Sequence, residues 1–99
     1  MSDRIFLTDD DIAQCRAVAT AWSAQISDIV SEVARATGLS KEAIFGKRRS
    51  PELDRARQIA MFVARREGAT EAAVAKAFKR ERSTVYHAVS METKRRSKA

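Results

Sequence analysis

Residues 71–90 read EAAVAKAFKRERSTVYHAVS, with the spacing of two short helices joined by a tight turn. Val74 and Phe78, four apart, share one face of the first helix, and Val85 and Ala88, three apart, share one face of the second. Two helices that cross steeply need a small residue where their axes approach, and Ala75 supplies it. The pairing closes a small apolar core. It turns Arg82, Ser83, Thr84 and His87 outward, in the N-terminal turns with which a recognition helix reads base edges. The plainer alternative is a helical hairpin whose polar face is only solvated. Lys79 falls at the turn, where Gly is common, and would cost about 1 kcal/mol in a left-handed conformation.

Upstream, Ser50-Pro51-Glu52 is a helix start: a capping hydroxyl, Pro in the first turn and an acid beside the positive end of the dipole. The helix is expected to run to about Arg66 and to stop at Gly68, with Thr70 capping the next one beside Glu71. Leu53, Ala56, Ile59, Ala60, Val63 and Ala64 share its core side. Arg57, Met61 and Arg65 form a second stripe that sets the two arginines about 12 Å apart along one edge, suited to a nucleic-acid backbone. Solvated arginines without a partner are the alternative for that edge.

Further upstream, Gly38 ends a helix, Ser40 caps a short turn through Ile44, and Gly46 releases the chain into Lys47-Arg48-Arg49-Ser50. Gly46-Lys47 is not a nucleotide-binding loop, because no Gly stands five residues earlier and Arg48 replaces the required Ser or Thr. At the N-terminus Thr8 is a candidate cap, with Asp9, Asp10 and Asp11 at the positive end of the dipole. Ile12, Cys15, Ala19, Trp22, Ile26, Ile29 and Val33 then recur at spacings of three and four. That stripe permits one helix to about Ala36, or two interrupted near Ser23 to Ser27 with Ser27 as second cap; the reading favours two. The stripe reads as core rather than a dimer seam, since it lacks regular flanking charge pairs, and Trp22 anchors either.

The expected fold is therefore all-α, a compact bundle of five or six helices containing a helix-turn-helix. Its divisions are an acidic N-terminal helix over 1–25, a DNA-binding domain over 26–93 and a basic disordered tail over 94–99. The 99 residues suit one domain with a modest core, and one Pro and three Gly favour helix throughout. A lone Cys15 and the absence of a long apolar run or a signal-peptide pattern point to the cytoplasm, in association with the nucleoid. The net charge of +6 is unevenly spread: three Arg against six acids in residues 1–40, then sixteen Lys/Arg against seven acids in residues 41–99. The C-terminal part is thus the half that attracts a polyanion, and no segment has the bulky apolar face of a membrane helix.

No catalytic constellation is present: His87 is the one histidine and Cys15 the one cysteine, far apart in sequence, and no cluster has metal-ligand spacing. Neither cofactor nor metal is expected. Tyr86 reads as a flank of the helix packing, because base stacking serves single strands and no aromatic cluster accompanies it.

The stretch from Arg55 to Arg65 (RARQIAMFVAR), preceded by Lys47-Arg48-Arg49-Ser50 and followed by Ser83-Thr84-Val85-Tyr86-His87-Ala88, resembles the C-terminal DNA-binding domain of the bacterial replication initiator DnaA. The likeness runs from about Ile26 to Met91. It implies an all-helical domain that binds the DnaA box, with the helix-turn-helix in the major groove and a basic loop in the adjacent minor groove. By this resemblance Arg49 is the loop arginine that enters the minor groove, Arg57 and Arg65 contact the backbone, and Ser83, Thr84 and His87 belong to the recognition helix. Lys47, Arg48, Thr70, Arg80, Glu81 and Arg82 complete the candidate DNA-binding set.

Where the family signature runs Arg-Asp-His-Thr-Thr-Val, this chain reads Arg80-Glu81-Arg82-Ser83-Thr84-Val85, and its turn is one residue shorter with Lys79 in place of Gly. Arg suits the paired acceptors of guanine and Glu accepts from cytosine, each good contact discriminating by roughly 1–3 kcal/mol. The resemblance does not reach the initiator's ATPase domain. The expected function is sequence-specific binding of double-stranded DNA, at DnaA-box-like or altered sites, regulating transcription or replication initiation. The competing reading is a protein-interaction adaptor that binds a partner, or a second copy, through the N-terminal helices around Trp22, with weak nonspecific DNA anchoring. RNA is disfavoured by its deep, narrow major groove.

Overall fold

The computed structural model describes residues 9–98, with side chains from Trp22 onward. Within them the chain forms five helices: α1 Asp9–Thr37, α2 Lys41–Phe45, α3 Pro51–Arg66, α4 Glu71–Phe78 and α5 Arg82–Ser97. The cap at Thr8 and the packing of Ile12, Cys15 and Ala19 lie outside the described residues. So does most of the expected partner surface on the N-terminal segment.

The short signals act as local chemistry dictates. The hydroxyls of Ser40, Ser50 and Thr70 accept from the amides of Ala43, Leu53 and Ala73, each at 3.1 Å, and so start α2, α3 and α4. Gly38 leaves α1 in the left-handed region at φ 77°.

The expected break in the first helix does not occur. No Gly or Pro stands between Asp9 and Thr37, and Ser27 and Ser31 find partners without breaking the helix. Ser31 Oγ donates to the Ser27 carbonyl at 3.1 Å, and Ser27 Oγ accepts from Lys41 Nζ at 2.5 Å. Ser27 is thus a tie to α2 rather than a cap, and the helix runs unbroken through the division expected after residue 25. The far end differs too. Residues 94–97, expected as a disordered tail, continue α5, where Arg95 and Arg96 reach back to a buried Glu92.

The core draws on every helix. Ile26, Val30 and Val33 from α1 and Ile44 from α2 meet Leu53, Ala56, Ala60, Met61 and Ala64 of α3, and Val74, Ala75 and Phe78 of α4 meet Val85 and Ala88 of α5. The α1 stripe drifts as a straight helix requires, so Val30 is fully buried while Ile29 packs at the margin. Ala56, Ala60 and Ala64, each four apart and fully buried, keep α3 slim on its inner side. That helix consequently packs against all four others.

The helix-turn-helix joint is a Schellman-type turn. Arg80 N–H donates to the Ala75 carbonyl at 2.9 Å and Lys79 N–H to that of Lys76 at 3.2 Å, with Lys79 left-handed at φ 54°, ψ 47°. The same geometry ends α3, where Ala69 N–H meets the Ala64 carbonyl at 3.0 Å, but there the left-handed residue is Gly68. Lys79 does Gly's work at a steric cost of roughly 1 kcal/mol. Lys79→Gly is therefore expected to raise the thermal midpoint by about 4–8 °C, read by circular dichroism; an unchanged or lower midpoint would show that the strain is relieved elsewhere.

Candidate nucleic-acid interface

Two segments far apart in sequence, the loop after α2 and the N-terminal half of α5, face each other across a groove of about 710 Å³. Lys47 and Arg49 stand on the loop side, Thr84 and His87 on the helix side, and Arg57 and Arg80 between them. Lys47, Arg48 and Arg49 are exposed. Arg49 is 82% exposed at its side chain, with a loose 3.4 Å contact to Asp54, so its guanidinium is free to reach outward.

Arg57 holds the loop from inside. It is only 6% exposed. Its Nε donates to the Ile44 carbonyl at 2.8 Å, and its Nη2 lies 2.9 Å from the Ala43 carbonyl, 2.9 Å from that of Gly46 and 2.6 Å from that of Arg48. Nη1 contacts Asp54 at 3.3 Å. Burial, and then the positive charges of Arg80 and Arg49, push this guanidinium below its ordinary pKa, while Asp54 opposes them. Arg80 continues the bracing: its Nη2 donates to the Gly46 carbonyl at 2.6 Å and its Nη1 to that of Phe78 at 3.1 Å. One carbonyl, Gly46, thus receives an arginine from α3 and another from the helix-turn-helix turn. Phe45 stacks on Phe78 beside it, with centroids 5.1 Å apart. The loop and the helix-turn-helix turn are thus tied together through Gly46.

This corrects the expected arginine edge. Arg57 and Arg65 do not line a common exposed face, because the stripe they share with Met61 turns inward: Met61 is buried, and Arg57 reaches under the loop. Arg65 remains exposed, with one Nη1 bond to the Ala69 carbonyl at 2.7 Å. Tyr86 also departs from expectation. It is exposed and meets the His87 ring edge-on at 5.9 Å, because Val85 and Ala88 take the inward face of α5.

Residues 26–91 match the family model of the bacterial DnaA protein helix-turn-helix. The chain belongs to that family. Neither curated proteins nor solved structures give a match. The matched region begins within α1 and ends within α5, so the DnaA helix-turn-helix family accounts for the all-α fold and for DNA as the ligand. No described helix is long and apolar enough to cross a membrane.

Within the DnaA-type fold the remaining candidates fall in two places. Arg82 and Ser83 are exposed in the first turn of α5, next to the groove, and Glu81 is its N-cap residue without a side-chain cap bond. The start of α5 therefore lacks the side-chain cap bond that begins α2, α3 and α4. Thr70 and Arg65 lie at the α3–α4 turn and do not line the groove, nor does Arg48. Gln58, Lys79 and Met91 do line it, although the sequence did not single them out for contact. The available signal was positional: Gln58 lies one turn beyond Asp54, and Met91 one turn beyond His87.

Proposed function

We propose that this protein binds double-stranded DNA in a sequence-dependent manner, with α5 in the major groove and the Lys47–Arg49 loop in the adjacent minor groove, and that it regulates transcription or replication initiation. The observation that carries this reading is the bracing of the basic loop to the helix-turn-helix through Gly46. Two basic elements held at a fixed separation can enter neighbouring grooves at one register, whereas independent flexible arms would give affinity without register. Arg82, Ser83, Thr84 and His87 supply base-edge chemistry; Lys47, Arg48, Arg65 and Thr70 supply phosphate contacts. Arg82 favours guanine and Glu81 cytosine, so the preferred site departs from the DnaA box where those residues replace the family's His and Asp.

Selection from random duplex DNA defines the site, and four variants then test the mode. Arg82→Ala or Thr84→Ala should relax sequence preference, by roughly 1–3 kcal/mol of discrimination at the base concerned. Lys47→Ala or Arg65→Ala should weaken binding to all duplexes alike and lower the salt slope by about one. Equal losses from all four on selected and random DNA would overturn the recognition-helix assignment. Recovery of DnaA-box-like sites would support competition with the initiator, and a different consensus an independent regulatory target.

A further inference from the structure

Glu92 is 2% exposed, deep between α3 and α5, and three arginines converge on it. Arg55 Nε is 3.1 Å and Arg95 Nη1 3.6 Å from its Oε1, and Arg96 Nε is 2.9 Å from its Oε2. A buried carboxylate persists only when cations compensate it, so Glu92 acts as a fixed anchor for these side chains. Arg96 is further occupied, lying 4.3 Å over the Phe62 ring. Arg55 and Arg95 keep side-chain exposures of 48% and 39%, so both guanidiniums still reach solvent. Oε1 is held by charge without an aligned hydrogen bond, and among the described residues no hydrogen bond occupies the Arg55 Nη groups. Arg95 is steadied from the side by Gln58 Oε1.

Arg55 and Arg95 line a second cleft, of about 510 Å³, with Arg49 on its wall. Arg49 and Gln58 belong to both this cleft and the groove, so the two are continuous. We infer that Arg55 and Arg95, preorganised by Glu92, form a further phosphate-binding surface that holds the DNA backbone beyond the point where Arg49 enters the minor groove. This rests on the DNA-binding reading above and extends its footprint. Three features favour a duplex backbone as occupant. The cleft carries arginine forks that match phosphate geometry, it opens from the same basic loop, and one buried carboxylate fixes both arginines without neutralising them together.

Removing arginines alone would strand Glu92, so the test replaces all three: Arg55→Gln, Glu92→Gln and Arg95→Gln in one variant, with Arg35→Gln as a control of equal net-charge change on exposed α1. Binding to the selected duplex is measured by titration from low to high salt, with flanks extended stepwise on the minor-groove side. The expected result is a salt slope lower by about two, and affinity lower by roughly 60-fold at 0.1 M salt, with unchanged sequence preference. The gain that the original protein shows on flank extension should disappear. If the triple variant and the control keep the original slope and flank dependence while Arg49→Ala weakens binding, this surface is overturned and the DNA-binding reading stands. If the unaltered protein binds no duplex at all, both fall. A thermal melt of the triple variant within a few degrees of the original confirms that the binding difference is read on a folded chain; if it melts lower, Arg55→Lys/Arg95→Lys, which keeps charge but loses the forks, should still lose affinity, and undiminished binding overturns the proposal.

Discussion

Arg57→Ala should cost about 3–5 kcal/mol of folding stability and carry DNA affinity down with it. Four carbonyls, those of Ala43, Ile44, Gly46 and Arg48, and the Asp54 carboxylate lose a shared donor in one substitution. Leaving one buried acceptor without a partner costs about 1–3 kcal/mol, and the loop can re-solvate only some of these. For a domain of this size the midpoint should fall by roughly 15–30 °C. Arg57→Lys should recover part of the loss, because an ammonium keeps the charge but cannot span carbonyls arranged for a planar fork. Arg65→Ala is the contrast: an exposed arginine with one backbone bond, it should leave the midpoint within a few degrees while weakening DNA binding. Thermal melts and DNA titrations on the three variants separate the roles. If Arg57→Ala melted like the original and lost only DNA affinity, the guanidinium would be a direct DNA contact after all.

The difference between those two arginines also marks how far the sequence could be read. The helix-turn-helix was legible because its determinants are side chains at close spacing: Val74, Ala75, Phe78, Val85 and Ala88 have the spacing of two facing helices, and all are buried. Ser50 and Thr70 were legible as caps because each hydroxyl bonds an amide three residues on. The left-handed Lys79 followed from its place in the motif. Arg57 was not legible, since its partners are backbone carbonyls nine to fourteen residues away, and every residue carries a carbonyl. The bond from Arg80 to Gly46 spans 34 residues and leaves no local pattern. Glu92 carries no local sign of burial; only the packing of α3 against α5 shows that it is buried among arginines from both. The unbroken α1 escaped because serines inside a helix and serines that cap one look alike until their hydroxyl partners are known.

Phe78→Ala should be the most damaging of the apolar changes, at about 3–5 kcal/mol, because the ring is fully buried and among the largest such side chains in the core. Against a total of 5–15 kcal/mol for a small domain, that removes a large share of the stability and leaves a measurable unfolded fraction at physiological temperature. The position matters beyond its volume. Phe78 is the last residue of α4, and its ring meets Phe45, the last of α2, at a tilt of 42°. Gly46, the residue after Phe45, and Arg80, two residues after Phe78, are the two ends of the bond that ties loop to turn. Losing the ring should therefore loosen the register between the two DNA-facing elements as well as the core. Phe78→Leu, which fills more of the cavity, should cost less than Phe78→Ala and keep sequence preference. Phe45 is only partly buried, so Phe45→Ala should cost less, and a double-mutant cycle should give a coupling of about 0.5–1.5 kcal/mol, the range for a paired ring contact. Urea unfolding at constant slope reads these stabilities, and saturating cognate duplex should raise the Phe78→Ala midpoint by mass action. A cost below about 1 kcal/mol for Phe78→Ala would mean that the joint is held by its backbone turn and the arginine bracing alone, with the aromatic pair contributing little to the placement of α5.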